Sequence, residues 1–395
     1  MHLHLEGQFM KYRRFGKHDF RVSALGFGAM RLPTLSGDHS DVDEEKSIEM
    51  IRYAVDHGVN YIDTAYGYMG GKSEVVVGKA LKDGYRERVK LATKLPSWIV
   101  NTREDMDKFL NEQLKKLDVD HVDFYLLHGL GKDRWEKLKS LGVLEFGVEA
   151  VAYGRIRGLG FSFHDEYEVF KSIIDGYDKW AMCQVLYNYI DQDRQATTKG
   201  LQYAASKGLP VVIMEPIGGG SLAVKPPKEI QDIWDEAKTK RSQAEWALQW
   251  VWNHPEVSVA LSGMSTMQQV VENVESASRS GPNTLTAKEL QLVERVRKKY
   301  SEYGYIGCTG CRYCMPCPNG VAIPEIFALI NQHYVKRGDR DAEQEVVKRY
   351  KETVGKENGV KNCKQCGKCE DLCPQHLPIR NLISGATWVF EPRRP

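Results

Sequence analysis

The chain has 395 residues, more than one hydrophobic core usually holds, so its length predicts a large domain joined to a smaller one. Hydrophobic residues make up 42% and charged residues 27% of the sequence, which excludes disordered and collagen-like chains. The net charge of +2 at pH 7 argues against a nucleic-acid or membrane-surface partner. No apolar run approaches the ~20 residues that span a bilayer, and residues 1–8 lack the apolar centre of a signal peptide, so we expect a cytoplasmic protein.

From residue 22 to about residue 280, short β-rich apolar runs alternate with amphipathic helical patterns. Helix starts with the spacing of a capping box occur at Thr102, Ser242 and Thr266. The eight candidate strands are Val22–Gly28, Tyr61–Ala65, Val89–Leu95, Val122–His128, Gly158–Phe163, Met182–Asn188, Pro210–Pro216 and Val257–Gly263. Eight such β–α units predict a (β/α)8 TIM barrel rather than an open doubly wound sheet. No Gly-x-Gly-x-x-Gly follows the first strand, which argues against a Rossmann dinucleotide site.

The ends of the barrel domain are marked by changes of pattern. Met10 opens the first well-patterned segment, so we interpret residues 1–9 as an N-terminal extension. The segment Tyr12–Ala24 is a candidate hairpin that closes the bottom of the barrel. Gly281-Pro282-Asn283 then interrupts the chain before a new helix start. We therefore predict a barrel over residues 10–283 and a smaller, mainly α-helical iron–sulfur domain over residues 284–395.

Four polar side chains follow neighbouring candidate strands at their carboxyl ends, where TIM barrels carry their reactive groups. Asp63 and Tyr68 follow the second strand, Lys94 the third and His128 the fourth. Each residue alone has an ordinary structural explanation, but their joint placement favours catalysis. Tyrosine, with a pKa near ~10, becomes a useful acid when a cation such as lysine stabilises its phenolate. The set suits transfer of a proton to the alkoxide that hydride addition to a carbonyl produces.

This arrangement resembles the catalytic tetrad of the aldo-keto reductases, in the expected order over residues 10–277. The resemblance implies Tyr68 as general acid, Lys94 and Asp63 as residues that tune it, and His128 as the group that orients the substrate. It also implies that NAD(P)H binds in an extended form across the barrel mouth. The residues that match cofactor-binding positions of the family are Gly28, Ala29, Met30, Asp63, Ser162, Phe163, Gln184, Met214, Glu215, Pro216, Ile217, Gly218, Gly219, Gly263, Ser265, Thr266, Gln269, Glu272 and Asn273.

The sequence departs from the pattern of the family at three places. Phe163 stands where an asparagine is usual, and Met214 stands where an aromatic ring usually stacks on the nicotinamide. The segment that opens the last barrel helix, Gly263–Gln269, lacks the lysine and arginine that usually bind the 2′-phosphate of NADPH. We therefore expect a reduced preference for NADPH and the use of NADH.

Eight of the nine cysteines fall in two short runs after residue 300, and Cys183 lies alone in a candidate strand. Such clusters in a chain without a secretion signal indicate metal binding. The second run, Cys363-x2-Cys366-x2-Cys369-x3-Cys373-Pro374, has the spacing of bacterial ferredoxins. The first run is one residue shorter before its last cysteine, and both runs are followed by a proline. The eight candidate ligands are Cys308, Cys311, Cys314, Cys317, Cys363, Cys366, Cys369 and Cys373.

In ferredoxins with two clusters, the fourth cysteine of each run binds the cluster of the other run. The spacing therefore predicts that Cys373 completes the [4Fe–4S] cluster of the first run, and that Cys317 completes the cluster of the second. The alternatives are two zinc sites or reduced, inert thiols, although zinc ligands more often come as separated Cys-x2-Cys pairs. The resemblance to ferredoxins extends from Cys308 to about Leu382, with a long insert between the runs.

The sequence therefore predicts an NAD(P)H-dependent oxidoreductase that reduces an aldehyde or ketone to an alcohol, or catalyses the reverse. The alternative is an electron-transfer or redox-sensing protein whose barrel binds a ligand without converting it. The clusters either exchange electrons, with a ferredoxin-like carrier as candidate partner, or stabilise a cap over the substrate pocket. Candidate walls of that pocket are Trp98, Trp135 and Tyr187.

Overall fold

The structure, a computed structural model, describes residues 10–391, so the predicted extension over residues 1–9 lies outside the described residues. The chain divides into two compact units. The barrel unit comprises the chain up to Ile217 together with Glu245–Thr286. The cysteine unit comprises Gly218–Ala244 and the chain from Ala287 onwards. It thus takes in a segment that lies within the predicted barrel range.

The predicted barrel fold is confirmed. The strands are β1 (Tyr12–Arg14), β2 (Arg21–Ser23), β3 (Leu25–Gly28), β4 (Tyr61–Asp63), β5 (Lys90–Leu95), β6 (Val122–Leu130), β7 (Ile156–Phe163), β8 (Cys183–Leu186), β9 (Val211–Met214) and β10 (Val257–Gly263). Strands β3 to β10 are parallel and close on each other, with β10 paired to β3. Because the barrel is closed, the carboxyl ends of all eight strands surround one mouth.

The bottom of the barrel is closed by the predicted hairpin, in which β1 and β2 pair antiparallel. The expected single strand over Val22–Gly28 is wrong: the chain passes from the hairpin to the barrel at Ala24. Ser23 is the one polar side chain within Val22–Gly28, so the sequence shows no clear break at Ala24. Phe15, in the hairpin loop, is fully buried and packs with Tyr61 and Phe124, at centroid distances of 6.1 and 5.1 Å.

Helices alternate with the strands and continue into the cysteine unit. They are α1 (Glu44–Asp56), α2 (Ser73–Ala80), α3 (Arg103–Leu117), α4 (Lys132–Ser140), α5 (Val143–Ala152), α6 (Tyr167–Asp175), α7 (Thr197–Ser206), α8 (Lys228–Asp235), α9 (Gln243–Trp252), α10 (Met267–Ser278), α11 (Ala287–Glu302), α12 (Ile323–Val335), α13 (Arg340–Thr353), α14 (Lys368–Asp371) and α15 (Ile379–Phe390). The capping box predicted at Thr102 is present. The Thr102 hydroxyl accepts from the backbone amide of Asp105, and the Asp105 carboxylate accepts from the backbone amide of Thr102. Within the described part of the chain, no helix is both long and apolar enough to span a bilayer.

The cysteine unit has a hydrophobic core of its own, as the sequence predicts for a second domain. Ile326, Phe327 and Ile330 of α12 are buried in it with residues of α13 and α15. The rings of Tyr350 and Phe390 stack with centroids 4.3 Å apart. Six of the cysteines, three in each run, are among the half-buried residues packed against this core. The core therefore holds the two cysteine runs against one set of helices.

Candidate active site and candidate metal centres

Lys94 lies at the centre of the polar group at the barrel mouth. Its ammonium donates to the Asp63 carboxylate at 2.6 Å, to the carbonyl of Thr64 at 2.9 Å and to the Tyr68 hydroxyl at 3.2 Å. Asp63 ends β4 and Lys94 stands one residue before the end of β5, and these two strands are hydrogen-bonded neighbours. Tyr68 begins a short 3-10 turn that returns over the mouth after β4. The structure thus brings together three predicted residues through adjacent strand ends.

The ammonium and carboxylate of this pair are almost completely buried, with side-chain exposures of 1% for Lys94 and 4% for Asp63. Burial lowers the pKa of Lys94 and raises the pKa of Asp63, because water no longer stabilises either charge. Each charge in turn stabilises the other. Asp63 Oδ2 has no hydrogen-bond partner within residues 10–391. The pair is therefore held by the interior of the protein rather than by solvent.

His128 completes the group from β6, as predicted. Its ring lies edge-on to the ring of Tyr68, with centroids 5.9 Å apart, and contacts Trp98 at 5.2 Å. Burial lowers the pKa of His128 well below its ordinary 6.5, and the nearby charges of Lys94, His164 and Arg134 lower it further. The imidazole is therefore neutral at pH 7 and able to direct one N–H toward an oxygen.

The other two candidate pocket walls, Trp135 and Tyr187, are buried and pack against other aromatic rings. Trp135 contacts Trp180 at 5.7 Å, and Tyr187 stacks on Trp250 of α9 at 5.0 Å. Trp98 differs, because it combines contact with His128 and 38% exposure. Trp98 therefore has the properties of a pocket wall.

Ser162 and Gln184, two of the predicted cofactor-binding residues, lie on neighbouring strands. Ser162 of β7 is paired in register with Gln184 of β8, and both side chains are buried. The Ser162 hydroxyl accepts from the amide of Gly129 at 2.8 Å. Gln184 Oε1 is buried and has no hydrogen-bond partner among the described residues. The ring of Phe163, by contrast, packs on Phe170 of α6 at 5.0 Å, so its side chain belongs to the helix layer.

The stretch after β3 is fixed by the neighbouring strand. The amide of Ala29 donates to the carbonyl of Asp63 at 2.8 Å, and the carbonyl of Ala29 accepts from the Ser73 hydroxyl at 2.7 Å. Gly28 lies so close to β10 that a Cβ there would approach the Ser262 carbonyl to 3.3 Å. Met30 is half-buried. These contacts place the stretch at the mouth, beside the end of β10.

The segment after β9 crosses from one compact unit to the other. Met214 ends β9, and Glu215 follows with a φ of +56°. The Asn188 side chain donates to the Glu215 carbonyl at 3.2 Å. Of the predicted cofactor-binding residues that follow β9, Pro216 and Ile217 belong to the barrel unit, while Gly218 and Gly219 belong to the cysteine unit.

The residues that follow β10 form the start of α10, and several of their side chains bind within this segment. The Thr266 hydroxyl accepts from the amide of Gln269, and Gln269 Oε1 accepts from the amide of Ser265 at 2.8 Å. The Asn273 amide donates to the Ser262 hydroxyl at 3.0 Å, and the exposed Glu272 accepts from Gln268 at 2.8 Å. Sequence reasoning missed one neighbour of Gly263, the side chain of Arg31.

The predicted ligand sets of the two cysteine runs appear as two spatial groups. Cys317 lines the same small cavity as Cys363, Cys366 and Cys369. Burial raises the pKa of Cys314, and the pKa is raised further by three neighbouring thiols, those of Cys308, Cys311 and Cys373. Each group therefore contains three cysteines of one run and the last cysteine of the other.

The cavity that Cys317 shares with the second run is otherwise lined by apolar residues and a few polar ones. Val321, Ile323 and Ile379 line it and are almost fully buried. The side-chain amides of Gln365 and Asn319 donate to Cys363 Sγ at 3.5 Å and Cys366 Sγ at 3.9 Å. Among residues 10–391, no three metal-binding side chains converge as the ligands of a single ion do. A cubane cluster needs no such convergence, because each cysteine binds a different iron.

Comparison with known proteins adds two domain matches. Residues 24–298 match the aldo/keto reductase family, and residues 307–377 match the 4Fe-4S dicluster domain. L-galactose dehydrogenase of Arabidopsis thaliana is 27% identical over 283 residues, which cover 67% of this chain and 87% of that protein. An uncharacterized oxidoreductase of Bacillus subtilis, YrpG, is 25% identical over 69% of this chain and 92% of its own.

Solved structures give the same picture. The holo form of aldo-keto reductase AKR11C1 from Bacillus halodurans superposes with a TM-score of 0.60 at 28% identity, over 73% of this chain and 96% of that one. An aldo/keto reductase from Klebsiella pneumoniae in complex with NADP and acetate gives a TM-score of 0.60 at 27% identity, over 73% and 95% of the two chains.

Proposed function

Since the chain belongs to the aldo/keto reductase family, we propose that it reduces a small aldehyde or ketone to an alcohol, or catalyses the reverse, with NAD(P)H as hydride donor. The observation that carries this proposal is the buried ammonium of Lys94, which contacts both the Asp63 carboxylate and the Tyr68 hydroxyl. A protein that only binds a ligand gains nothing from burying such a pair, because removing two charges from water is costly.

The Tyr68 hydroxyl is the proton donor in this proposal. When bound, the reduced nicotinamide would supply a hydride, with both electrons, to the carbonyl carbon and would itself be oxidised to NAD(P)⁺. The carbonyl oxygen then takes the phenolic proton, so that the products are the alcohol and a tyrosinate next to Lys94. In the oxidation direction, the tyrosinate removes the alcohol proton. Lys94 favours this cycle because its charge, 3.2 Å from the hydroxyl, stabilises the phenolate.

Asp63 and His128 have different tasks. The Asp63 carboxylate keeps the Lys94 ammonium charged in the interior, where burial alone lowers its pKa. His128, neutral because of its lowered pKa, is placed to donate a hydrogen bond to the carbonyl oxygen. It thereby orients the substrate and leaves proton transfer to Tyr68. Trp98, which contacts His128 and is partly exposed, would form an apolar wall beside the substrate.

The residues of the mouth fit a nicotinamide cofactor. The buried and unpartnered Oε1 of Gln184 is an acceptor suited to the NH₂ group of the nicotinamide amide, with Ser162 beside it in register. The Klebsiella pneumoniae relative, which is known in complex with NADP, supports the same cofactor class. We assign the other cofactor contacts to the segments of the barrel unit that follow β3, β9 and β10.

We further propose that the eight grouped cysteines hold two [4Fe–4S] clusters, one on each spatial group. The match of residues 307–377 to the 4Fe-4S dicluster domain supports this assignment. The clusters either pass electrons to a ferredoxin-like carrier or stabilise a cap. Cations near the second cysteine run are what an acidic carrier would bind, but two of them already pair with carboxylates, Arg380 with Glu370 at 2.7 Å and Lys361 with Glu391 at 3.0 Å. This pairing favours the structural role.

A tyrosine pair in one loop tests the catalytic proposal. Tyr68→Phe removes the proton donor and should lower kcat for carbonyl reduction by about 10²- to 10⁴-fold, with NADPH binding unchanged. Tyr66→Phe is the matched control, because the Tyr66 hydroxyl binds Glu112 at 3.2 Å, away from Lys94, and activity should stay within about threefold. If Tyr68→Phe is as active as the wild type, the proposal is wrong. If the wild type reduces no carbonyl while its clusters titrate reversibly, the electron-transfer alternative is correct.

A further inference from the structure

Glu74 is a buried carboxylate that the proposed mechanism does not use. It is the second residue of α2, and its side chain is completely buried. Its Oε1 accepts from the Thr93 hydroxyl at 2.6 Å and from the side-chain amide of Gln113 at 2.5 Å. Its Oε2 has no hydrogen-bond partner among residues 10–391, and the Lys116 ammonium lies 3.9 Å away. Burial of a carboxylate is costly, so one that has so few partners calls for an explanation.

The hydrogen bonds of Glu74 lead to the backbone of Lys94. Gln113, fully buried on α3, donates to Glu74 and also to the carbonyl of Lys94 at 3.0 Å. Tyr125 of β6 holds Gln113 from the other side, since its hydroxyl donates to Gln113 Oε1 at 2.7 Å. Thr93, which donates to Glu74, precedes Lys94 in β5 and points to the opposite face of the strand. Glu74 is thus bound on the helix side of the strand segment that carries the ammonium of the mouth.

The charge of Glu74 also acts on Lys94. Burial lowers the pKa of Lys94, while the Asp63 carboxylate and the more weakly coupled Glu74 raise it. Burial raises the pKa of Glu74, and its hydrogen bonds from Thr93 and Gln113 lower it. Two carboxylates from different elements therefore act on the same ammonium.

We propose that Glu74 is a positioning residue of the reaction, which fixes the strand segment of Lys94 and helps to keep its ammonium charged beside Tyr68. This inference rests on the proposed function, in which catalysis needs Tyr68 with its proton and Lys94 with its charge. A nearby negative charge opposes the loss of a proton from either group, so its effect has the same sign whichever group titrates first. Glu74 should therefore extend carbonyl reduction to higher pH.

A substitution at Glu74 alters a single charge beside Lys94. The titratable groups that face Lys94 are Asp63, Glu74, Tyr68 and His128, and those that face Glu74 are Lys116, Glu112, Tyr66 and Tyr125. Burial raises the pKa of both tyrosines near Glu74, so these phenols stay neutral in the alkaline range of the test. The Glu112 carboxylate pairs with Lys116 at 3.0 Å, so these two charges offset each other.

Two substitutions separate the charge of Glu74 from its shape. Glu74→Gln keeps the length of the side chain and an acceptor oxygen, but it removes the charge. The alkaline limit of kcat/KM, measured for the holoprotein with benzaldehyde at saturating NADPH, should fall by about 0.5 to 1 pH unit. Glu74→Asp keeps the charge and shortens the side chain, so it should lower stability and retain the alkaline limit of the wild type.

Asp123→Asn is the matched control, because Asp123 is another buried carboxylate bound to β5. It accepts from the amide of Leu91, three residues before Lys94, at 3.0 Å and pairs with Arg86 and Lys90. Its replacement should move the alkaline limit by no more than about 0.2 pH unit. Equal shifts in Glu74→Gln and Asp123→Asn would overturn the proposal.

Lys116→Met is a second variant, whose result does not depend on how well Glu74→Gln folds. It removes the cation 3.9 Å from Glu74 and should move the alkaline limit upward, by less than the shift of Glu74→Gln. An unmoved limit in Glu74→Gln, or in Lys116→Met where Glu74→Gln does not fold, would show that Glu74 only supports the fold.

A titration without turnover separates this inference from the proposed function. In protein labelled with ¹³C at tyrosine Cζ, the Tyr68 signal is identified by its absence in Tyr68→Phe. This signal should change at lower pH in Glu74→Gln than in the wild type, because either ionisation of the Lys94–Tyr68 pair alters the surroundings of the ring. A wild type that reduces no carbonyl would contradict the proposed function, and the same shift of the signal would still support the coupling of Glu74 to Lys94.

Discussion

The barrel mouth and the cysteine loops hold their polar side chains in opposite ways. At the mouth, Asp63 and Lys94 stand on adjacent strands, are buried, and bind each other directly. The cysteines lie mostly in irregular segments between helices, and most are half-exposed. The first region is therefore assembled by the barrel itself. We expect the second to depend on ligation for its final geometry, as structural metal sites do.

The largest effect should come from Lys94→Met, which tests whether the mouth is assembled around its cation. The change leaves the Asp63 carboxylate buried and unpaired, so we expect a loss of about 3–5 kcal/mol in the free energy of unfolding. The loss of the cation beside Tyr68 should lower kcat/KM by about 10²- to 10⁴-fold. Urea unfolding followed by tryptophan fluorescence, together with steady-state kinetics, measures both.

Lys90→Met is the matched control, since Lys90 begins the same strand. Its ammonium lies 3.2 Å from Asp123, but its side chain is 37% exposed and Asp123 keeps Arg86 as a partner. We expect a loss of at most about 1 kcal/mol and unchanged kinetics. Equal effects of the two substitutions would show that the barrel mouth has no special dependence on Lys94.

Cys373→Ala tests the ligand assignment in the cysteine loops, the second region of the comparison. Although Cys373 belongs to the second run in sequence, its loss should release iron from the group of the first run, leaving roughly four of eight irons per chain. Alkylation of the variant followed by mass spectrometry should then label Cys308, Cys311 and Cys314. Cys183→Ala, in the buried strand β8, should keep all the iron. Labelling of Cys363, Cys366 and Cys369 instead would refute the exchanged ligand assignment. A lower rate of carbonyl reduction in Cys373→Ala would show that catalysis depends on the cysteine loops.

The sequence was sufficient for the features that follow from strand order or from local spacing. The tetrad is predictable because parallel strand ends in a closed barrel meet at one mouth, so residues as distant as Asp63 and His128 are brought together. The cysteine groups are predictable because their spacing is that of a two-cluster ferredoxin. In both cases the physical constraint determines the order or the spacing of residues in the sequence.

Features that depend on three-dimensional closeness were beyond the sequence. Arg31 lies more than half the barrel sequence away from Gly263, and only closure of β3 on β10 makes them neighbours. An aromatic residue near a strand end gives no sign of whether its ring faces the mouth, as with Trp98, or a helix, as with Phe163. The break at Ala24 is likewise hidden, because Val22 and Leu25 on its two sides are both apolar and buried.

The smallest expected effect concerns the pH dependence of the barrel unit. The pKa of His128 is lowered in the folded state, while in the unfolded chain it returns to about 6.5, so below this pH only the unfolded state takes up the proton. Stability should therefore be complete above pH 6.5 and should fall as the pH decreases, by at most about 2 kcal/mol at pH 5, the limit for a folded state that binds no proton. His128→Asn should remove this part of the decrease, although its loss of packing lowers stability at every pH. Urea unfolding at pH 7, 6 and 5 measures the difference between the two proteins. Parallel curves would mean that His128 takes up its proton in the fold as readily as in the unfolded chain, which would contradict the lowered pKa and the assignment of a neutral imidazole.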